Sequence, residues 1–510
     1  MYSRSVCRVC LSLRLVCSCV SQSMASIGTN GQNCGSLSWH LASLHPIPSH
    51  LQTSLPHTTP SHSYSLTHPL TYFCVISPST PNLLHRTSPL LLPVRPLVTM
   101  PPAPPQPLHQ ALLLLPPAPS PPVFASLNAA YGPTLRTVLS QLARAPERAQ
   151  ERAILDIALP CPHLYGQINA PRGPLYADTQ NLVAGLYKLI CVIAAQNAID
   201  TEDAEGVDAR ILLLAYPRDG KLDQASETAR PEQESLGPVV ELHTLATCDR
   251  PWSTVFAVQS EEGEALARNF QSLSPKSKNV QKVRGGIVSV DGSTPATQPA
   301  AHVRHAISHH SVAVGGTFDH LHMGHKLLLT MFAFVVVRQD SPSSLTVGIT
   351  GDALLRNKKY VEFVESWEER QRNTHDFLSG ILRFGPAQDG RIRTEALDEP
   401  GPNGRAVHVT YPSGLTIKYV EIQDPFGPTI TDESISALVI SLETRSGGKA
   451  VNDKRAEKGW SGLEVFEVDV LDAEEEGSKQ VEDDFQGKLS STEIRKRRSE
   501  RRAGRGGTDA

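Results

Sequence analysis

Val314-Gly-Gly-Thr-Phe-Asp-His-Leu-His-Met-Gly-His325 decides how the second half of this chain reads. An apolar strand beginning at Val312 runs into Gly315 and Gly316, and Met323–Val337 has helical apolar spacing. The two glycines let the backbone approach a phosphate. The helix start offers free N–H groups and the positive end of a dipole. His322 and His325 stand three apart and project from one side of the first helical turn. Gly324 between them leaves room for a nucleotide. Imidazoles so placed can hydrogen-bond phosphate oxygens and stabilise charge in a transition state. An HxxH pair alone is a weak signal. The glycine turn, Thr317 and the strand-to-helix setting make the whole segment specific.

Outward from this segment, strands and helices alternate. Leu345–Thr350, Ile417–Gln423, Ala437–Leu442 and Leu463–Val470 read as strands. Ser366–Leu382, Gly447–Lys458 and Ser490–Arg502 read as helices. Buried apolar strands between amphipathic helices predict an α/β fold, a Rossmann-like doubly wound parallel sheet over residues 312–500. Such sheets bind ligands at the carboxyl ends of their strands. Gly385–Ser413, rich in Gly and Pro, reads as a surface insertion. Lys488-Leu-Ser-Ser-Thr-Glu-Ile-Arg495 opens the last helix. Ser490 or Ser491 there could be an ordinary cap. The same geometry makes an anion site strengthened by Arg495, and the first motif in the same sheet favours that second reading.

The rest of the chain is uneven. Residues 1–146 hold seven arginines and no acid, so they carry +7, and the remainder carries −11 for an overall −4. Twenty of the 40 prolines lie in residues 1–122. That stretch is expected to be disordered, or an over-extended reading frame with Met24 or Met100 as the true start. Residues 123–275 read as a smaller α/β region of unknown role, with helices over Leu135–Ala145, Thr179–Gln196 and Glu261–Leu273. Its strands read as Arg210–Tyr216, Pro238–Thr244 and Thr254–Gln259. Residues 276–311 read as a linker and 501–510 as a basic flexible tail. No apolar run reaches the ~18 residues of a membrane span. Near-neutral charge argues against broad nucleic-acid binding. Three cysteines after residue 74 argue for a reducing compartment. No metal site is expected: Cys7, Cys10, Cys17 and Cys19 have the wrong spacing for zinc, and Asp319 reads as a turn residue.

Gly-Gly-Thr-Phe-Asp-His-Leu-His-Met-Gly-His325 resembles the HxGH signature of the nucleotidyltransferase superfamily, and Ser490-Ser-Thr-Glu-Ile-Arg495 its second phosphate motif. Further strings resemble the eukaryotic-type, fungal phosphopantetheine adenylyltransferases. They are Gly348-Ile-Thr-Gly-Asp352, Asn357-Lys-Lys-Tyr360, Glu368-Glu-Arg370, Gln423-Asp-Pro-Phe-Gly-Pro-Thr429 and the run from Glu443 to Gly459. The resemblance implies transfer of AMP from ATP to 4′-phosphopantetheine, giving 3′-dephospho-coenzyme A and pyrophosphate. It implies that Gly315, Gly316, Thr317, Phe318, His322, Gly324, His325, Ser490, Ser491, Thr492 and Arg495 bind ATP. Thr317, Lys358 and Arg445 would meet the phosphopantetheine. Catalysis would fall to His325, Lys358, His322 and Thr317, with Mg²⁺ carried by ATP.

The animal relatives fuse this domain to a kinase, which needs a GxxxxGK[ST] loop. None occurs in the sequence, so the reaction is expected to stop at dephospho-coenzyme A. Expected partners are the two substrates, with other coenzyme A enzymes open and no membrane or nucleic acid. The expected location is the cytoplasm. The basic tail leaves the nucleus open, and the acid-free start leaves the mitochondrion open. Two other readings stand beside this one. A cytidylyltransferase of a phospho-alcohol shares the first motif, but its usual Arg-Thr-x-Gly-Ile-Ser is absent. A scaffold could keep the fold without chemistry, against which the intact His322, His325 and Ser490–Thr492 argue.

Overall fold

The computed structural model describes residues 110–144, 152–202, 206–222, 237–275, 279–287, 306–337, 342–385, 390–401, 403–469, 471 and 490–506. They build two α/β sheets. The first contains β1 (Gln110–Leu114), β2 (Ala153–Pro160), β3 (Val207–Ala215), β4 (Val239–Glu241), β5 (Trp252–Gln259) and β6 (Val280–Arg284). Its order is β4-β3-β2-β1-β5-β6, and every neighbouring pair is parallel. The helices are α1 (Phe124–Ala143), α2 (Gly173–Gln196), α3 (Leu242–Thr247) and α4 (Glu261–Leu273). All eight residues of β2 are buried, Asp156 among them, as a strand covered on both faces requires.

The second sheet holds β7 (Ser311–Gly316), β8 (Ser343–Thr350), β9 (Arg393–Gly401), β10 (Gly404–Thr410), β11 (Leu415–Ile422), β12 (Ala437–Ser441) and β13 (Glu464–Val468). Its helices are α5 (Met323–Val335), α6 (Trp367–Leu382), α7 (Arg445–Glu457) and α8 (Ser491–Gly506). The order is β13-β12-β7-β8-β11-β10-β9. The strands from β13 to β11 are parallel, whereas β10 and β9 form an antiparallel hairpin at the edge. Chain order reverses around β7, which puts the switch point, and the glycine turn after β7, at the carboxyl edge. Ser366 starts α6 with a reciprocal capping box to Glu369.

Several boundaries differ from the expected ones. Residues 110–114, inside the stretch expected to be disordered, form a central strand, because Ala111–Leu115 can bury against β2 and β5. The expected linker contains β6, which completes the first sheet, while 288–305 lie outside the described residues. Pro238–Thr244 is a three-residue strand followed at once by α3. The expected insertion at 385–413 is mostly the β9–β10 hairpin, so the doubly wound sheet is mixed rather than wholly parallel. The expected flexible tail continues α8 through Gly506. Residues 1–109 and 507–510 lie outside the described residues. No described helix is long and apolar enough to cross a membrane. The two sheets share one hydrophobic cluster, with Tyr187 and Ile190 of α2 and Leu327 and Phe334 of α5 among its members.

Candidate active site

Between β7 and α5 the chain turns twice through the left-handed region, at Phe318 (φ 51°) and His320 (φ 48°). A non-glycine residue holds such a conformation only when its surroundings fix it. Phe318 is fully buried and its ring lies 5.6 Å from that of His325. A Cβ on Gly316 would meet that ring at 3.0 Å, so a larger residue there would have to push the ring aside. Gly315 is exposed, and a Cβ on it would meet nothing within 4 Å, so its backbone faces open space.

His322 stands at the N-cap position of α5 without a side-chain capping bond, and its ring stacks on that of His325 with centroids 3.9 Å apart. The first α5 bond runs from Lys326 N–H to the His322 carbonyl at 3.0 Å. The N–H groups of Met323, Gly324 and His325 are therefore unspent within the helix. A Cβ on Gly324 would press on the His322 ring at 3.2 Å. Burial, then the neighbouring His325, Lys326 and His320, pull the His322 imidazole well below its ordinary range. Burial likewise pulls His325 down to about 4. Both rings are neutral near pH 7, and neither Nδ1 has a hydrogen-bond partner within the described residues. Two neutral imidazoles and a helix start are donors to an anion that need no counterion removed first.

The second motif closes on the first through the backbone of the turn. Ser491 Oγ donates to the Asp319 carbonyl at 2.8 Å. Arg495 pairs with the fully buried Asp319 carboxylate, donates from Nε to the Lys359 carbonyl at 3.0 Å, and from Nη2 to Thr492 Oγ1 at 3.0 Å. Asp319 Oδ1 also accepts the Glu365 N–H at 3.0 Å. Asp319, His320 and Glu365 bring their ligand atoms within 4.8 Å of one another. Most of those atoms already make hydrogen bonds, with Arg495, the Glu365 and His320 N–H groups, Asn373 and the Phe363 carbonyl, while His320 Nδ1 has no hydrogen-bond partner among the described residues and lies 3.4 Å from Glu365 Oε1. Through these bonds the trio ties the turn before α5 to the residues around Glu365.

Comparisons with known proteins divide the chain at the same place as the two sheets. A Cytidylyltransferase-like family model matches residues 313–497, and a domain of unknown function (DUF8446) matches residues 100–290. The phosphopantetheine adenylyltransferase of Thermococcus gammatolerans is 32% identical over 184 residues, which cover 36% of this chain and 86% of that protein. The chain belongs to the phosphopantetheine adenylyltransferase family. The Saccharomyces cerevisiae phosphopantetheine adenylyltransferase is 37% identical over 187 residues, 37% of this chain and 48% of the yeast protein. An uncharacterised Schizosaccharomyces pombe protein is 30% identical over 254 residues, 49% of this chain and 66% of its own length. The match thus spans about half of the budding-yeast relative.

Within this family member the expected site residues fall into three groups. Gly315, Gly316, Phe318, His322, Gly324 and His325 form one turn, and Ser491, Thr492 and Arg495 lie against it, with Ser490 just before α8. Thr317 belongs to that turn, and its carbonyl accepts from Arg370 at 2.8 Å. Lys358 is exposed, in the turn whose Lys359 carbonyl holds Arg495. Arg445 is not joined to the others. It stands exposed at the start of α7 and pairs through two nitrogens with Glu467 of β13. Arg495 is buried, and its bonds to Asp319, Lys359 and Thr492 anchor α8.

Three further residues frame the site. Arg370 is fully buried and ties the Thr317 carbonyl to Asp352 Oδ1 at 2.6 Å and to the Glu365 carbonyl at 3.0 Å. Its sequence signature is an arginine on the apolar face of α6, between Trp367 and Thr374. Glu365 and His320 complete the frame, and nothing local in the sequence marks them.

Proposed function

We propose that this chain transfers AMP from ATP to 4′-phosphopantetheine, forming 3′-dephospho-coenzyme A and pyrophosphate. The observation that carries the reading is the neutral His322–His325 pair at the start of α5, roofed by the Ser491 and Arg495 contacts to Asp319. ATP, as its Mg²⁺ complex, would lay its phosphates over the α5 start, the exposed Gly315 backbone and the hydroxyls of Ser490 and Thr492, with Ser491 joining them only by exchanging its Asp319 partner. The acceptor phosphate is anionic at neutral pH and needs no strong base. It attacks the α-phosphorus in line, a new P–O bond forms, and pyrophosphate leaves with the electrons of the broken one. His322 and His325 donate to oxygens that gain charge, and Lys358 spans donor and acceptor phosphates. Thr317 stands beside the reacting phosphate. Arg445 would reach the acceptor phosphate only by exchanging its Glu467 partner. We place the reaction in the cytoplasm, with the two substrates as partners.

The test is product analysis with the full chain, ATP or CTP, and 4′-phosphopantetheine or a phospho-alcohol. Dephospho-coenzyme A from ATP, at a rate at least tenfold that with CTP, is the expected result. Preference for CTP and a phospho-alcohol would overturn it. Absence of pyrophosphate exchange with either nucleotide would leave the chain a scaffold.

A further inference from the structure

Asp208 lies on β3, in the first sheet, yet it holds a charge on the helix that carries the histidine pair. Lys326 Nζ donates to Asp208 Oδ1 at 2.7 Å. Arg210 donates to Asp208 Oδ2 from Nε at 3.0 Å and Nη2 at 2.8 Å. Lys326 is 1% exposed and Asp208 3%, so the pair is sealed between the sheets. Burial pushes the Asp208 carboxyl up, but Arg210, Lys326 and Arg152 outweigh it and hold the group far below the usual carboxylate range. Burial pulls the Lys326 ammonium down, and Asp208 opposes that pull. A buried ammonium that loses its counterion must shed its proton or leave its place.

Lys326 also donates the first intrahelical hydrogen bond of α5. It follows His325 directly, its N–H bonds the His322 carbonyl, and the i to i+4 spacing puts its side chain on the His322 face. Its charge bears on the His322 ring. Movement of Lys326 therefore moves the turn on which both imidazoles stand. The first sheet holds other framing helices as well. Arg250 joins Asp156 of β2, at 2.8 Å, to the Gly380 and Arg383 carbonyls at the end of α6, at 2.5 and 2.8 Å. Arg497 of α8 faces Glu202 at 3.6 Å.

We propose that Asp208 is a positioning residue of the nucleotide site, fixing Lys326 and through it the first turn of α5. This gives the first sheet, whose matching family has no known function, a role in the neighbouring site. The proposal rests on reading the α5 start as the ATP-phosphate site, and its test separates the two.

Asp208→Asn, Lys326→Met and the double variant are made in the full chain. Steady-state rates are expressed per folded molecule, and ATP affinity is measured by calorimetry. Asp208→Asn is expected to lower kcat at least tenfold while the KM for 4′-phosphopantetheine stays within threefold. Lys326→Met, which removes only the ammonium, is expected to act in the same direction and covers the case in which Asp208→Asn does not fold. The double variant should be no worse than the poorer single one, since both act through one contact. Rates within twofold of the parent, or two losses that multiply, overturn the proposal. So does a lower melting temperature with an unchanged rate per folded molecule. If the parent binds ATP but does not transfer AMP to 4′-phosphopantetheine, the functional reading fails alone. Asp208 is then decided by ATP affinity, with a fivefold loss expected in Asp208→Asn and a change within twofold overturning it. A parent that does not bind ATP sinks both.

Discussion

A histidine pair stacked 3.9 Å apart in a buried turn cannot carry two charges, and burial has settled the matter toward neutrality. This has a consequence for stability. His325 is drawn from 6.5 down to about 4 in the folded protein. Between those pH values the unfolded chain binds a proton that the folded protein refuses, so stability falls as pH drops from 6.5 toward 4 and levels off below. Above 6.5 neither state is protonated and His325 contributes no slope. His322, lowered further by the same burial, adds to the effect in the same direction. The melting temperature of the full chain should therefore climb with pH across this window, and His325→Gln should flatten the climb. Equal slopes in parent and variant would remove His325 as its source. On turnover, His325→Ala should cost about 10²-fold or more, the usual loss for one transition-state donor. A folded variant with near-parent turnover would put His325 outside the site.

The elements show how local order and distant contact divide the work. α8 begins at Ser491, and its hold on the turn passes through Ser491 and Arg495. Arg495→Ala would leave the Asp319 carboxylate buried without its cation, a loss of about 3–5 kcal/mol for a broken buried pair. The expected outcome is a lower melting temperature and a KM for ATP raised about tenfold. A chain ending at Glu500 should keep both values, because Arg501, Arg502 and Ala503, which it lacks, are exposed. If that shorter chain matches Arg495→Ala instead, the end of α8 belongs to the site. The two motifs and the strands feeding them were legible because each is a short apolar run ending in glycine or a cap. β1 was not, because five residues sit among prolines and a composition averaged over 122 residues conceals them. β2 was missed because Asp156 interrupts its apolar run. That aspartate is there to accept from Arg250 and Trp252, both far off in sequence. β9 is exposed and charged and β10 only partly buried, so the pattern of the hairpin resembles a loop. Arg370 and Asp208 show the same limit at the site: their partners, Thr317 and Lys326, lie 53 and 118 residues away.

At the scale of the whole molecule, the question is whether the nucleotidyltransferase sheet can stand without the first. The two share a hydrophobic cluster, the Asp208–Lys326 and Arg250 contacts, and a backbone bond from Gly237 N–H to the Leu382 carbonyl. Interfaces of this kind are cores cut in two, and separating them exposes apolar surface and unpaired charge together. β1 is the critical strand. It pairs with β2 over Ile154–Ala158 on one side and with β5 on the other, so without it both would become open edges in the middle of a sheet. Leu112, Leu113, Leu114 and Leu115 are all fully buried. At roughly 1.5–3 kcal/mol for each buried leucine, their loss would remove about 6–12 kcal/mol. That equals most of the roughly 5–15 kcal/mol by which a protein of this kind is stable. A chain starting at Val98, which keeps β1, should therefore melt cooperatively and retain AMP transfer. A chain starting at Val123 should be insoluble or lack a cooperative transition, and residues 300–510 alone should fare no better. Calorimetry on the three chains, with turnover measured on the soluble ones, decides it. A Val123 chain that melts where the Val98 chain does would show that β1 is dispensable and that the sheets are less dependent on each other than their shared core implies.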